Sequence, residues 1–154
     1  MEFLISRQWS VMERFDITDP QGALAFEARG HLGASITLHD ASGRQAAAVT
    51  KHVFSEVHEV EVGGQRVAQV RHTGFFGDRY EIESAYGVLT AQGRLMSGDL
   101  TLARDGQLVA QMARQFSLRE KFAVDIADSE NAAFILAVLL AVEAIHDERN
   151  NNRH

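Results

Sequence analysis

The sequence contains no cysteine, and only two of its 154 residues are lysine. The absence of cysteine excludes disulfide bonds, thiolate metal sites and cysteine nucleophiles. The 15 basic residues are outnumbered by 21 acidic ones, which gives a formal net charge of −6. Because nucleic-acid binding depends on Lys and Arg neutralising phosphates, this balance argues against a nucleic-acid partner. It also weakens the case for strong binding to an anionic membrane, although a local basic patch outweighs net charge.

Sequence motifs of common enzyme classes are missing as well. The chain has no G-x-S-x-G elbow, no H-E-x-x-H motif, no P-loop and no dinucleotide-binding fingerprint. Seven histidines are present, but no pair in the strand region has helical ligand spacing, so we expect most of them at the surface or at a rim. Glu81 and Glu83 share one strand face, which is more typical of a solvated face than of a glycosidase pair. We therefore predict no enzymatic activity, no metal site and no cofactor.

The first nine residues, MEFLISRQW, do not form a secretory signal. An acidic residue stands at position 2, and Arg7 interrupts a short apolar run before it reaches the length of a signal peptide. The sequence therefore predicts a cytoplasmic protein, with peripheral association at a membrane left open.

Apolar and polar residues alternate through most of residues 13–127, as in Phe15-Asp16-Ile17-Thr18 and Val60-Glu61-Val62. A period of two indicates half-buried antiparallel strands. Asp19-Pro20-Gln21-Gly22 suits a type I turn, and Gly63-Gly64 and Asp105-Gly106 suit two-residue hairpin turns. About a dozen strand candidates follow, at the spacing typical of a barrel or a sandwich.

One phrase occurs near both ends of this strand region. RQFSLREKFAVDIAD at residues 114–128 nearly repeats RQWSVMERFDITD at residues 7–19, with five identities over the eleven positions that start at Arg7 and Arg114. The copies are unevenly spaced, which fits a barrel of related hairpins better than a solenoid. We predict that Phe122, Val124 and Ile126 in the second copy face the barrel interior.

Residues 132–142 (AAFILAVLLAV) contain no polar side chain. A helix that is apolar all round lies either inside protein or in lipid, and a bilayer needs about 20 apolar residues. We therefore predict a core helix over about 129–147, capped by Asp128 or Ser129, inside a closed barrel. Glu143 is its odd residue: we expect it near the barrel mouth, solvated or paired with an arginine, a buried functional acid being the alternative. The polar tail, residues 148–154, is expected to fray.

These features resemble the LURP-one-related proteins, which are grouped with tubby C-terminal domains and phospholipid scramblases. The resemblance runs from about Arg7 to Asp147 and is carried by RQWSVMERFDITDPQG, DASGRQAAAVTKH and REKFAVDIADSENAAFILAVLLAVEAI. It implies a single domain over residues 1–147, a mainly β, closed antiparallel barrel of about twelve strands enclosing one hydrophobic C-terminal helix. It also implies a binding function, since tubby-type domains bind phosphoinositide headgroups and scramblases act at membranes. The chain departs from scramblases in lacking Pro-rich and Cys-rich segments.

The sharpest site prediction concerns cations on the two copies of the repeat: Arg7, Arg14, Arg114, Arg119 and Lys121. If both copies reach the same rim, these side chains gather positive charge for a phosphorylated headgroup or an acidic protein surface. In the alternative, they pair with the acids beside them, which are Glu13, Asp16, Glu120 and Asp125. We therefore expect a non-enzymatic binding module for anionic lipid. A protein-interaction scaffold is the alternative and scramblase-like activity a third; the oligomeric state stays open.

Overall fold

The computed structural model describes residues 1–8, 13–31, 35–52, 56–74, 78–93, 99–114 and 121–151. These residues form twelve β-strands and one α-helix. The strands are β1 (Glu2–Gln8), β2 (Glu13–Thr18), β3 (Leu24–His31), β4 (Ser35–Asp40), β5 (Gln45–Lys51), β6 (His58–Val62), β7 (Gln65–Thr73), β8 (Asp78–Ser84), β9 (Gly87–Gly93), β10 (Leu100–Arg104), β11 (Gln107–Arg114) and β12 (Lys121–Ile126). The helix, α1, spans Ala132–Asn151.

Each strand pairs antiparallel with the next strand along the chain, and β12 pairs with β1, so that the sheet closes into a barrel. The closing register places Ile5 opposite Phe122 on one side of β1 and opposite Ile17 on the other. The predicted closed antiparallel barrel of about twelve strands is therefore confirmed. Each copy of the repeated phrase ends one strand and continues through the next, and the closure between β1 and β12 places the two copies side by side.

The turns follow from their residue types. At the β2–β3 turn the Gly22 amide donates to the Asp19 carbonyl over 3.0 Å, and Asp19 Oδ1 accepts from the amides of Gln21 and Ala23, both at 2.9 Å. At the β10–β11 turn Asp105 and Gly106 have φ values of 51° and 78°. Positive φ at both central residues matches the right-handed twist of the flanking strands.

The barrel interior is filled by α1 and by the inward side chains of the strands. All eight large apolar side chains of the helix are at most 4% exposed. They are Phe134, Ile135, Leu136, Val138, Leu139, Leu140, Val142 and Ile145. Phe122, Val124 and Ile126 of β12 are also buried in this core, as predicted. Burial on every side explains why the helix has no polar face.

The helix begins later and ends later than the sequence predicts. Its N-cap is Asn131, whose Oδ1 accepts from the Phe134 amide over 3.1 Å, so the prediction of Asp128 or Ser129 as the cap is wrong. At the other end the helix continues to Asn151, through residues for which fraying was expected. An ion pair over 2.8 Å between Glu148 and Lys51 of β5 ties this last segment to the barrel wall.

The two ends of the barrel differ. At one end, the strands are joined by short turns and the helix enters. At the other, the helix emerges beside the ends of β1 and β5; we call this the helix-exit end.

Candidate functional site

Polar side chains line the interior of the barrel at the helix-exit end. Strand alternation places Ile5 and Phe15 in the core, and the next inward positions toward this end are Arg7 and Glu13. The same change from apolar to polar occurs on β5, β6, β7, β8 and β11 and on the last turns of α1. We call the resulting set the exit cluster: Arg7, Glu13, Lys51, His58, His72, Asp78, Tyr80, Arg114, Glu143, His146, Asp147 and Glu148.

Ion pairs in the exit cluster connect the helix to the strands. Arg7 pairs with Glu13 of β2, and its guanidinium also lies 3.9 Å from an Asp147 carboxylate oxygen on the helix. His146 Nδ1 lies 3.5 Å from the Asp78 carboxylate of β8. Together with the Lys51–Glu148 pair, these contacts hold the last turns of the helix against β1, β5 and β8.

Glu143 is the acidic residue of the exit cluster whose charge is not balanced by an ion pair with a described residue. Its side chain is half-buried, and no described residue forms a hydrogen bond or ion pair with its carboxylate. Burial raises the pKa of Glu143, and the negative charge of Asp147 one turn later raises it further, against the opposing effect of His146, Arg114 and Arg7. The protein therefore favours the neutral form of this carboxyl more than water does.

Two buried side chains of the exit cluster carry polar atoms without a hydrogen bond to any described residue. Tyr80 is 1% exposed, and its hydroxyl forms no hydrogen bond with a described residue. Burial is the main cause that raises the pKa of Tyr80, and its ring packs edge-on against His72 with centroids 5.3 Å apart. His58 is 5% exposed, its Nδ1 has no hydrogen-bond partner among the described residues, and burial lowers its pKa.

Sequence analysis missed Tyr80 and His58 as members of a polar interior. The signal was present, because each stands two positions from a core residue, Ile82 and Val60 respectively, on the same strand face. We assigned most histidines to the surface or a rim, and alternation alone did not distinguish a polar end of the interior from an exposed rim.

The structure places the predicted cations as follows. Arg14 lies on the outer face of β2, with its Nε 3.3 Å from an Asp16 oxygen. Arg114 is exposed at the end of β11, and its guanidinium lies 5.6 Å from the ring centroid of Phe122. Lys121 is half-buried at the start of β12. Arg119 lies outside the described residues.

The four described cations come from four consecutive strands of the barrel. In the order β11, β12, β1 and β2, Arg114, Lys121, Arg7 and Arg14 all stand at the helix-exit end. We call these four strand ends the arm sector. Arg7 and Arg14 are engaged by acids of the protein itself, whereas Arg114 and Lys121 form no ion pair with any described residue.

The remaining chemistry of the described residues is limited. They contain no group of three or more His, Asp or Glu side chains arranged to hold a metal ion. In the part of the chain that the structure covers, no helix combines the length and the hydropathy needed to cross a bilayer.

Comparisons with known proteins agree with this architecture. The sequence matches the LURP-one-related family over residues 1–143. No curated protein sequence is significantly similar to this chain. The X-ray structure of a protein from Arabidopsis thaliana is similar to the present fold with a TM-score of 0.68 and 18% sequence identity, covering 94% of this chain and 91% of that one. At this identity the likeness concerns the fold alone, whereas the family match covers nearly the whole sequence. The chain belongs to the LURP-one-related family.

Proposed function

We propose that this protein is a non-enzymatic binding module that holds an anionic, phosphate-bearing group at the arm sector, and that the group is a phosphoinositide-like lipid headgroup. The observation that carries the proposal is the pairing of β1 with β12, which brings the cations of both repeat copies to four neighbouring strand ends. The resemblance to tubby C-terminal domains supports the same type of ligand. Binding of this kind would place the protein at the cytoplasmic surface of a membrane.

Arg114 and Lys121 are the residues of the arm sector that are available to a ligand. Asp147 and Glu13 engage Arg7, and Asp16 engages Arg14, so a phosphate competes with internal carboxylates at both positions. Arg114 and Lys121 form no ion pair with a described residue, although Arg114 attracts the carboxylates of Glu143 and Asp147 at longer range. A guanidinium offers two parallel hydrogen bonds to phosphate, and an ammonium adds a point charge on the neighbouring strand.

Co-sedimentation with vesicles tests the proposal. Phosphatidylcholine vesicles are compared with vesicles that also contain phosphatidylserine or phosphatidylinositol bisphosphate. We expect the protein to bind the anionic vesicles and to bind those with the bisphosphate best. At about 1 kcal/mol for each cation near an anionic surface, the double variant Arg114→Gln/Lys121→Gln should bind roughly 30-fold more weakly.

The matched control is Arg44→Gln/Arg66→Gln, which removes the same charge from the opposite end of the barrel, where β5 and β7 begin. The control should bind like the unchanged protein. Equal and negligible binding to neutral and anionic vesicles would refute the proposal. An equal loss in both double variants would show that net charge, and not the arm sector, determines binding.

A further inference from the structure

A groove runs along the outer wall of the barrel on β11, β12 and β1, beside the turn between β2 and β3. Its volume is about 380 Å³, which falls within the range of roughly 300–1,000 Å³ of ligand sites in proteins. Ala113, Ala123 and Leu4 stand directly opposite one another on the three strands and form the floor. The two alanines leave a depression because their outward side chains end at a methyl group. The floor is apolar.

Acidic side chains border this floor. Glu2 and Asp125 are directly opposite each other on neighbouring strands, and Asp19 stands on the flank. Like charges in such a cross-strand pair are destabilising, and no Arg or Lys side chain of the described residues pairs with any of the three. The Met1 ammonium lies 3.7 Å from Asp125, but it donates a hydrogen bond to Asp128 over 2.8 Å. The carboxylates at the border of the groove are therefore able to form an ion pair with a cation of a binding partner.

The barrel wall restricts how a partner can bind here. Since every strand has two hydrogen-bonded neighbours, the sheet offers no free edge to which a partner could add a strand. Recognition at the groove must therefore depend on side chains. An apolar floor favours a bulky aliphatic or aromatic side chain, the carboxylates favour a cation beside it, and both features disfavour a phosphate-bearing ligand.

We propose that the groove docks a peptide segment of another protein in which an arginine or lysine stands beside a bulky apolar residue. The groove adjoins the arm sector, since Ala113 directly precedes Arg114 and Ala123 follows Lys121 by two residues, but its carboxylates would repel the anionic ligand proposed there. The groove thus gives the module a second partner of opposite charge.

Selection from a phage-displayed library of random peptides on the immobilised full chain tests the proposal. The selected consensus is then synthesised with a fluorescent label, and its affinity is measured by anisotropy. Ala123→Trp fills the groove, Glu2→Gln/Asp125→Asn removes the charge, and Glu61→Gln/Glu81→Gln removes the same charge from the outer faces of β6 and β8 as a control. Circular dichroism and thermal unfolding verify that each variant is folded.

The expected consensus contains Arg or Lys next to Leu, Ile, Met or Phe. Glu2→Gln/Asp125→Asn should weaken binding about tenfold, since each partly exposed ion pair contributes up to about 1 kcal/mol. Ala123→Trp should abolish binding, and the control should not change it.

If Ala123→Trp does not fold, the charge variant alone decides. The proposal is overturned if no peptide is selected, if the consensus lacks a basic residue, or if the charge variant binds like the control. Self-association in sedimentation velocity that Ala123→Trp abolishes would identify a second copy as the occupant and would equally overturn it. Vesicle binding through the arm sector should persist in Ala123→Trp and should not fall in Glu2→Gln/Asp125→Asn, which removes negative charge beside the arm sector.

Discussion

Replacing Glu143 by glutamine should stabilise the protein near neutral pH. Glutamine keeps the shape of the side chain and removes its ionisation. In the folded protein the Glu143 carboxylate is half-buried, receives no hydrogen bond from a described residue, and faces the negative charge of Asp147. Its raised pKa means that these costs exceed the attraction of His146, Arg114 and Arg7.

The size and the pH dependence of the effect follow from this balance. Burying an ionised carboxylate costs more than burying a neutral carboxyl or an amide, and glutamine removes this extra cost. Because the nearby cations offset part of it, we expect Glu143→Gln to raise the free energy of unfolding by about 1–2 kcal/mol at about pH 7.5. A carboxyl whose pKa is raised on folding stabilises the protein below its unfolded pKa of about 4.3, and that stability is lost as pH rises through the folded pKa. At about pH 4 the unchanged protein is neutral at this position too, so the difference should nearly vanish.

Urea unfolding followed by circular dichroism at both pH values measures the effect. Glu148→Gln is the matched control on the same helix, because Glu148 has the partner that Glu143 lacks: Lys51, at 2.8 Å. The control should lower stability by up to about 1 kcal/mol near neutral pH, opposite in sign to Glu143→Gln. A destabilising effect of Glu143→Gln at neutral pH, or a gain of the same size at both pH values, would contradict the balance described above.

Four further results are expected. Leu136→Ala should lower the free energy of unfolding by about 2–5 kcal/mol in a urea titration, because the enclosed side chain leaves a cavity; a loss below about 1 kcal/mol would contradict burial on all sides. Asp19→Ala should cost about 1–2 kcal/mol by thermal unfolding, since Asp19 Oδ1 accepts two backbone hydrogen bonds in its turn, and an unchanged midpoint would refute this. A double-mutant cycle on Lys51 and Glu148, both about one-third exposed, should give a coupling energy of at most about 1 kcal/mol; a larger coupling would mean that the pair is effectively buried. The imidazole of His58 should titrate by NMR below the ordinary histidine pKa of about 6.5, because burial disfavours its charged form; a titration above that value would contradict its burial.

Local patterns in the sequence were sufficient for the fold. Alternation, turn residues such as Asp105-Gly106 and an apolar run too short for a bilayer together required a closed sheet around a helix. The helix boundaries were less accurate, because three polar residues within four positions, Asp128, Ser129 and Asn131, all suit an N-cap. Propensity does not rank them, and the hydrogen bond from the Phe134 amide to Asn131 Oδ1 is visible only in the structure.

The polar interior was harder to anticipate than the fold. Strand alternation predicts which face a residue such as His58 or Tyr80 occupies, but it does not say how far along the barrel the helix reaches. Lys51 and Glu148 are 97 positions apart, and no local pattern pairs them. For the repeat cations, the sequence predicted that the two copies correspond. Only the closure between β1 and β12 shows that they stand next to each other.

The enclosed position of α1 has a consequence for biosynthesis. The segment at the centre of the barrel is also the last part of the domain to leave the ribosome, after all twelve strands that surround it. A barrel that closed before the helix was present would lack the burial of the helix's apolar side chains. Pairing of β1 with β12 is therefore not stable until the helix has been synthesised. The paired residues of these two strands, such as Ile5 and Phe122, are also far apart in sequence, which makes closure of the barrel slow. During synthesis the apolar inner faces of the strands are therefore exposed to solvent. We expect a nascent chain of this domain to need chaperone protection until the helix has left the ribosome.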